Sequence, residues 1–127
     1  MDPNAIAQNF RDIVINHYFD FDGRTRRSVF WYFVMAYFVI WIVLAVVQRE
    51  LGMYGLLTGL FTLALLLPNL GLAARRLHDT GRTAWWLLIG LVPVAGWIVL
   101  IYWYSLEGES GANQFGPDPK APGPGAA

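Results

Sequence analysis

The sequence predicts an all-α integral membrane protein with three transmembrane helices and a short N-terminal amphipathic helix at the membrane interface. Charged residues make up only 14% of the chain, whereas soluble domains have nearer a quarter. Three runs contain no Asp, Glu, Lys, Arg or His: residues 29–47, 51–74 and 84–106. About 20 apolar residues cross a hydrocarbon core of about 30 Å, so each run is long enough to span a membrane. Buried helices of a soluble bundle, the alternative, would need a polar face, which these runs lack.

Residues 1–20 are predicted to contain the amphipathic helix. Mostly apolar positions recur at three- and four-residue spacing on one helical face: Ile6, Phe10, Ile13 and His17. The helix either lies on the membrane surface or packs against the rest of the protein, and the sequence does not separate these alternatives. Gly23 suits a turn, which leads into the arginines and aromatic residues that open the first span.

Prolines mark the second and third predicted spans. Pro68 lacks a backbone donor, so we expect it to kink or break the second span, and Asn69 to hydrogen-bond the backbone that Pro68 frees. An alternative turns this span back as a re-entrant hairpin, which would bring the C-terminal tail to the cytoplasmic side. Pro93 predicts a further kink near the middle of the third span. The Pro/Gly-rich residues 107–127 form the tail, predicted to be disordered from about residue 120.

Four tryptophans are predicted to anchor the protein at the membrane interfaces. Aromatic residues open and close the third run, as expected for the two interfacial belts of one crossing helix. The predicted anchors are Trp31, Trp85, Trp86 and Trp103.

The distribution of Lys and Arg predicts the orientation of the spans. With three crossings, seven basic residues fall on one side of the membrane and two on the other. The positive-inside rule then places the N-terminus in the cytoplasm and the C-terminus outside.

Three stretches of the sequence resemble one family, domain of unknown function 805, which comprises small bacterial inner-membrane proteins. They are residues 21–31, beginning Phe-Asp-Gly-Arg-Thr-Arg-Arg-Ser; residues 75–86, beginning Arg-Arg-Leu-His-Asp-Thr-Gly-Arg; and residues 111–119, Gly-Ala-Asn-Gln-Phe-Gly-Pro-Asp-Pro. The resemblance covers about residues 10–120, and residues 111–113 depart from it because the family often has an acidic residue before the asparagine. It implies an integral inner-membrane protein and no established activity.

Six arginines are predicted to lie together on the cytoplasmic side and to bind an anionic ligand such as a lipid headgroup. They are Arg24, Arg26, Arg27, Arg75, Arg76 and Arg82. The favoured hypothesis is a non-enzymatic membrane module that binds anionic lipid or a membrane protein partner through these arginines. Glycines in the spans, such as Gly55 and Gly59, suggest self-association as a further property.

The alternative hypothesis is a small membrane enzyme or carrier subunit that acts on a phosphorylated lipid. In it, His78 and Asp79 would form an acid–base pair and the arginines a phosphate clamp. Orientation anchoring by arginine and helix termination by Asp79 explain the same residues without chemistry, and we prefer that interpretation.

Several other functions are not expected. The net charge is zero, so the sequence gives no sign of a basic surface that would bind nucleic acid. The chain has no cysteine and two histidines, without metal-ligand spacing, so we expect no metal site. Nucleotide-binding and dinucleotide fingerprints are missing from the sequence, and we expect no cofactor.

Overall fold

The computed structural model describes residues 3–119, and its regular secondary structure in that range is helical. The five α-helices are α1 (Pro3–Asn16), α2 (Arg27–Leu51), α3 (Leu56–Ala64), α4 (Leu66–Asp79) and α5 (Ala95–Ser105). A 3-10 helix, Ala84–Leu91, lies between α4 and α5, and one isolated bridge joins Asn113 to Gly116. The all-α prediction is confirmed for the described residues. The disorder predicted from about residue 120 lies outside them.

Helix α2 corresponds to the first predicted span. It has 25 residues and is, among residues 3–119, the one helix long and apolar enough to cross a membrane by itself. Helices α3 and α4 pass the same test only as a pair, and they are bent by 47° at the break between them. The second predicted span is therefore a broken helix that runs back alongside α2.

The break between α3 and α4 follows from Pro68. Proline has no N–H to donate to the carbonyl four residues earlier, which is that of Ala64. The helix breaks at Leu65, and the Tyr18 hydroxyl donates to the Ala64 carbonyl oxygen over 2.8 Å. The Asn69 side chain donates to the Leu65 carbonyl oxygen at 2.9 Å, beside the break. The Leu65 carbonyl oxygen already accepts from the Asn69 backbone amide at 3.0 Å, so the predicted bond from Asn69 to the carbonyl that Pro68 frees is not the one found. Tyr18 bonds that carbonyl instead.

The third apolar run is a hairpin, and the prediction of one continuous third span over residues 84–106 is wrong for this structure. The chain reverses at Pro93 and Val94, where Val94 has φ 65° and ψ −64°. The Trp97 indole nitrogen donates to the Gly90 carbonyl oxygen at 2.9 Å across the turn. A Cβ on Gly96 would overlap the Ile89 carbonyl, so glycine allows the two arms to approach this closely.

Both ends of this hairpin lie at the same end of the bundle. The rings of Trp86 and Trp103, one from each arm, are 5.5 Å apart and nearly perpendicular. They cannot mark opposite interfaces, as the prediction of two aromatic belts required. The hairpin also returns residues 106–118 to the end of the bundle where α2 begins and α4 ends. A cytoplasmic arginine cluster and an extracytoplasmic tail are therefore incompatible.

Helix α1 packs against α2 in the antiparallel direction. The rings of Phe10 and Phe33 stack at 4.9 Å, and the Asn9 amide donates to the Val29 carbonyl oxygen at 3.2 Å. Ile13 and Phe33 belong to the small core, together with Phe30 and Leu72. Of the two alternatives for the N-terminal helix, the structure has the one in which it packs on the rest of the protein.

Candidate functional site: a buried arginine–aspartate cluster and its exposed rim

The three stretches that carry the family resemblance meet in one place. They are the loop before α2, the last turn of α4 with the turn after it, and the segment that follows α5. The bend at Leu65 and the hairpin at Pro93 bring these stretches together although up to 92 residues separate hydrogen-bonded partners. The candidate site lies where they join.

A buried triad of charged side chains forms the centre of the site. Arg24 donates its Nε to Asp79 Oδ1 at 2.9 Å, and Arg76 donates its Nη1 to Asp79 Oδ2 at 2.7 Å. The side chains of Arg24, Arg76 and Asp79 are 1%, 0% and 2% exposed. Arg76 and Asp79 are three residues apart on α4, a spacing that puts them on one helical face.

Backbone carbonyl groups complete the coordination of the two triad arginines. Arg24 donates to the carbonyl oxygens of Asp79, Glu109, Gly111 and Gly116. Arg76 donates to those of Thr25, Tyr104 and Leu106. All five N–H groups of Arg24 and at least four of Arg76 are thereby used. These two arginines have little capacity left for an external ligand, and they hold the segment after α5 on the bundle.

The backbone of that segment lies directly on Asp79. The Glu109 amide donates to the Asp79 carbonyl oxygen at 2.7 Å. A Cβ on Gly108 would overlap the Asp79 carboxylate, so only glycine permits this approach.

Arg75 forms a second ion pair on the neighbouring face of α4. It donates to the Thr25 hydroxyl at 3.1 Å and to the Asp20 carbonyl oxygen at 2.7 Å, with the Asp20 carboxylate 3.5 Å away. Burial acts to raise the pKa of Asp20, but hydrogen bonds from His17 and the Asp22 amide and the charge of Arg75 outweigh it. The pKa of Asp20 is therefore held below its ordinary value.

His78 and Asp79 do not form an acid–base pair in this structure. His78 Nδ1 donates to the Gly23 carbonyl oxygen at 2.8 Å, and its ring stacks on Phe115 with centroids 4.1 Å apart. Both carboxylate oxygens of Asp79 are bonded to arginines. Each side chain thus faces a different part of the protein and serves to hold neighbouring segments together.

The other three predicted arginines remain at the rim of the cluster. Arg27 donates to the Ser105 carbonyl oxygen at 3.1 Å, and the Arg82 guanidinium lies 4.7 Å above the Trp103 ring. Arg26 Nε is, among the described residues, the one buried side-chain nitrogen or oxygen atom without a hydrogen-bond partner. None of the ion pairs found within residues 3–119 involves these three arginines.

A polar pocket of about 270 Å³ opens beside the cluster, between α1 and the loop before α2. Both signs of charge line it, with the arginines of the loop and of α4 facing carboxylates of α1 and the loop. Its charged residues are Asp12, Asp20, Asp22, Arg24, Arg26 and Arg75. In the part of the chain that the structure describes, no group of three or more His, Asp or Glu residues is placed to hold a metal ion.

The four predicted interfacial anchors lie near this same end, and two of them are exposed. Trp85 is 78% exposed and Trp86 51%. Trp103 lies under Arg82, and Trp31 lies one turn into α2 beside Phe30.

Sequence reasoning missed Thr25 and the carbonyl groups after α5. Thr25 is buried and joins both arginines of α4 through its hydroxyl and carbonyl oxygens. It lies within the first stretch that carries the resemblance, which was the available signal. Backbone carbonyls carry no residue-specific signal, so their role could not be found from the sequence.

Fold and site together define an all-helical protein with one long apolar helix and a buried arginine–aspartate cluster at the end where that helix begins. The chain belongs to the family described as protein of unknown function (DUF805), whose model matches residues 18–117. The resemblance found in the sequence is thus confirmed.

Two relatives from Escherichia coli (strain K12) are similar over most of their length. The chain is 43% identical to inner membrane protein YhaI over 108 residues, which cover 84% of this chain and 92% of YhaI. It is 38% identical to inner membrane protein YhaH over 112 residues, which cover 84% of this chain and 93% of YhaH. No solved structure matches the chain. These relatives support residence in the bacterial inner membrane.

Proposed function

We propose that this protein is a multi-pass, non-enzymatic module of the bacterial inner membrane that binds phosphate groups of lipid headgroups through its rim arginines, Arg26, Arg27 and Arg82. The names of the two relatives support the location. Helix α2 and the bent pair α3–α4 cross the membrane. The hairpin enters from the cytoplasmic side and returns, and its arms of roughly 16 Å reach about half of a 30 Å core.

The charge distribution supports this orientation of the bundle. Seven of the eight arginines then lie on the cytoplasmic side, and Arg49, between α2 and α3, alone lies on the other. The same seven-to-one division of arginines holds for three crossings, because residues 107–119 contain no Lys or Arg.

Arg26 provides the observation that carries the headgroup proposal. Its buried Nε has no acceptor within the described residues, and an unsatisfied buried donor costs about 1–3 kcal/mol. Arg26 also lines the polar pocket beside the cluster, so a phosphate group that enters this pocket would meet its guanidinium. Charge-assisted bonds from guanidinium to phosphate are among the stronger hydrogen bonds. Arg27 and Arg82 flank the same end of α2 and α4, where headgroups of the cytoplasmic leaflet would lie.

The enzymatic alternative has less support. A general base must be within reach of its substrate, and the Asp79 side chain is 2% exposed with each oxygen paired to an arginine. His78 lies 7% exposed beneath Phe115. The chemistry proposed for this pair would therefore require the segment after α5 to leave the cluster.

Native mass spectrometry of the protein released from lipid discs that contain phosphatidylglycerol tests the proposal. We expect Arg26→Ala to weaken lipid retention by about three- to tenfold, the effect of losing one partly screened charged hydrogen bond. Replacing Arg27 and Arg82 as well should reduce it further. Arg49→Ala, which removes the same charge from the opposite end of α2, is the matched control and should retain lipid as the wild type does.

Equal retention by the rim and Arg49 variants would contradict the proposal. A second protein of fixed stoichiometry in the spectrum, released by Arg26→Ala without any change in bound lipid, would instead identify the rim as a protein interface.

A further inference from the structure

An apolar groove separates α1 from α2 beyond the point where the two helices touch. The helices are joined at the Phe10–Phe33 stack, and the groove extends from that stack toward the N-terminus of α1. They leave a groove of about 450 Å³, within the range of about 300–1,000 Å³ that ligand pockets occupy. Its walls are Ile6, Ala7 and Phe10 on one side and Met35, Ala36 and Val39 on the other.

The depth of the groove matches the hydrocarbon of one leaflet. With a rise of about 1.5 Å per residue, Met35 lies about 12 Å and Val39 about 18 Å along α2 from Arg27. If Arg27 lies at the cytoplasmic interface, the groove descends to about the middle of a 30 Å core. Its position is therefore that of an acyl chain of the cytoplasmic leaflet.

A cation lies at the end of the groove that is nearest the interface. Arg11 lines the groove there, and its side chain is exposed. It takes part in none of the ion pairs found within residues 3–119. The neighbouring carboxylate of Asp12 is directed elsewhere, because it accepts a hydrogen bond from Asn16 at 2.7 Å and lies 3.4 Å from His17. The charge of Arg11 is thus available to a ligand.

We infer that the groove binds one acyl chain of a phospholipid whose phosphate pairs with Arg11. An apolar wall at hydrocarbon depth offers no donor or acceptor, so it suits a chain that needs none. A single cation at the interfacial end complements a phosphate. This site deepens the proposed function and rests on its topology, but it is separate from the rim and uses none of its three arginines.

Photocrosslinking with a phosphatidylglycerol that carries a diazirine in one acyl chain tests this site. The probe is incorporated into lipid discs with the full-length protein, and the crosslinked residues are identified by mass spectrometry. We expect crosslinks concentrated at Met35 and Val39. Val46, an exposed residue of α2 outside the groove, reports ordinary contact with surrounding lipid.

Two kinds of variant distinguish lipid bound in the groove from lipid that only contacts the surface of α2. Ala36→Phe occupies the groove and should reduce crosslinking at Met35 and Val39 to the level of Val46, while Val46→Phe should leave it unchanged. Ala7→Phe fills the groove from the opposite wall, and serves the same purpose if Ala36→Phe fails to fold. Arg11→Gln should raise the probe fraction needed for half-maximal crosslinking about three- to tenfold.

Crosslinks spread evenly along α2, or groove crosslinks that survive both filling variants, would overturn the inference. A diazirine fatty acid that crosslinks as well as the phospholipid probe would show that phosphate is not the recognised group, and would also overturn it. If Arg26→Ala retains lipid as well as the wild type does while the groove crosslinks persist, the rim proposal alone would be refuted.

Discussion

Two sets of three arginines come from the same two stretches of sequence and have opposite environments. The inner set, Arg24, Arg75 and Arg76, is buried and donates to carboxylates and carbonyls of the protein. The rim set, Arg26, Arg27 and Arg82, forms no ion pair within the described residues. Neighbours such as Arg75 and Arg76 also differ, because each faces a different segment. Position in a basic motif therefore does not say whether an arginine binds a ligand or holds the fold.

The difference arises from what covers the inner set. Buried charges are costly to desolvate and persist only when their hydrogen bonds are satisfied. For Arg24 and Arg76, the end of α5 and the segment after it supply five of the seven carbonyl groups, and the hairpin at Pro93 delivers that segment. Arg75 is covered by the loop before α2. The inner arginines join the N-terminal loop, α4 and the C-terminal segment into one unit.

The largest effect that would test this comparison is the loss of stability when an inner arginine is removed. Arg76→Ala would leave Asp79 buried with one partner and several carbonyls without a donor. We expect it to destabilise the protein by about 3–5 kcal/mol, measured as unfolding followed by tryptophan fluorescence in detergent. Arg82→Ala, at the rim, should cost no more than about 1 kcal/mol. Equal losses from the two variants would remove the distinction between the sets.

A smaller effect concerns the ion pair between Arg75 and Asp20. Because the pKa of Asp20 is lowered in the folded protein, its contribution to stability is present above the ordinary value of 3.8 and is lost as pH falls through the folded pKa. We expect the wild type to lose more stability than Asp20→Asn when pH is lowered from 5 to about 3. Asp22→Asn, which changes a neighbouring exposed carboxylate, is the control. An acid sensitivity in Asp20→Asn that equals that of the wild type would exclude this contribution.

Much of the fold follows from local features of the sequence. Helix α2 matches the first charge-free run, and the break beside Pro68 follows from its missing N–H. The third run could not be interpreted correctly from hydropathy, because a re-entrant hairpin and a crossing helix have the same composition. Pro93 between Gly90 and Gly96 was the local sign of the reversal, and it suggested a kink where the chain turns back completely.

The sequence predicted several residues that form the site but not which of them are buried. The sequence indicated that Arg24, Arg75, Arg76 and Asp79 lie near one another, but not which of them are covered. The burial of Arg24 and Arg76 depends on carbonyl groups of residues 104–116, which any sequence provides. Once the hairpin reverses the chain, the end of the bundle that the tail reaches changes with it.

Single-cysteine labelling is the most direct test of whether the chain returns at Pro93. The protein has no cysteine, so Tyr54→Cys, Thr83→Cys and Ser110→Cys each create a unique exposed thiol. A membrane-impermeant maleimide applied to spheroplasts should label position 54, and should label positions 83 and 110 only after the membrane is permeabilised. Labelling of position 110 from outside while position 83 stays protected would mean that residues 84–105 cross the membrane, and would contradict the account.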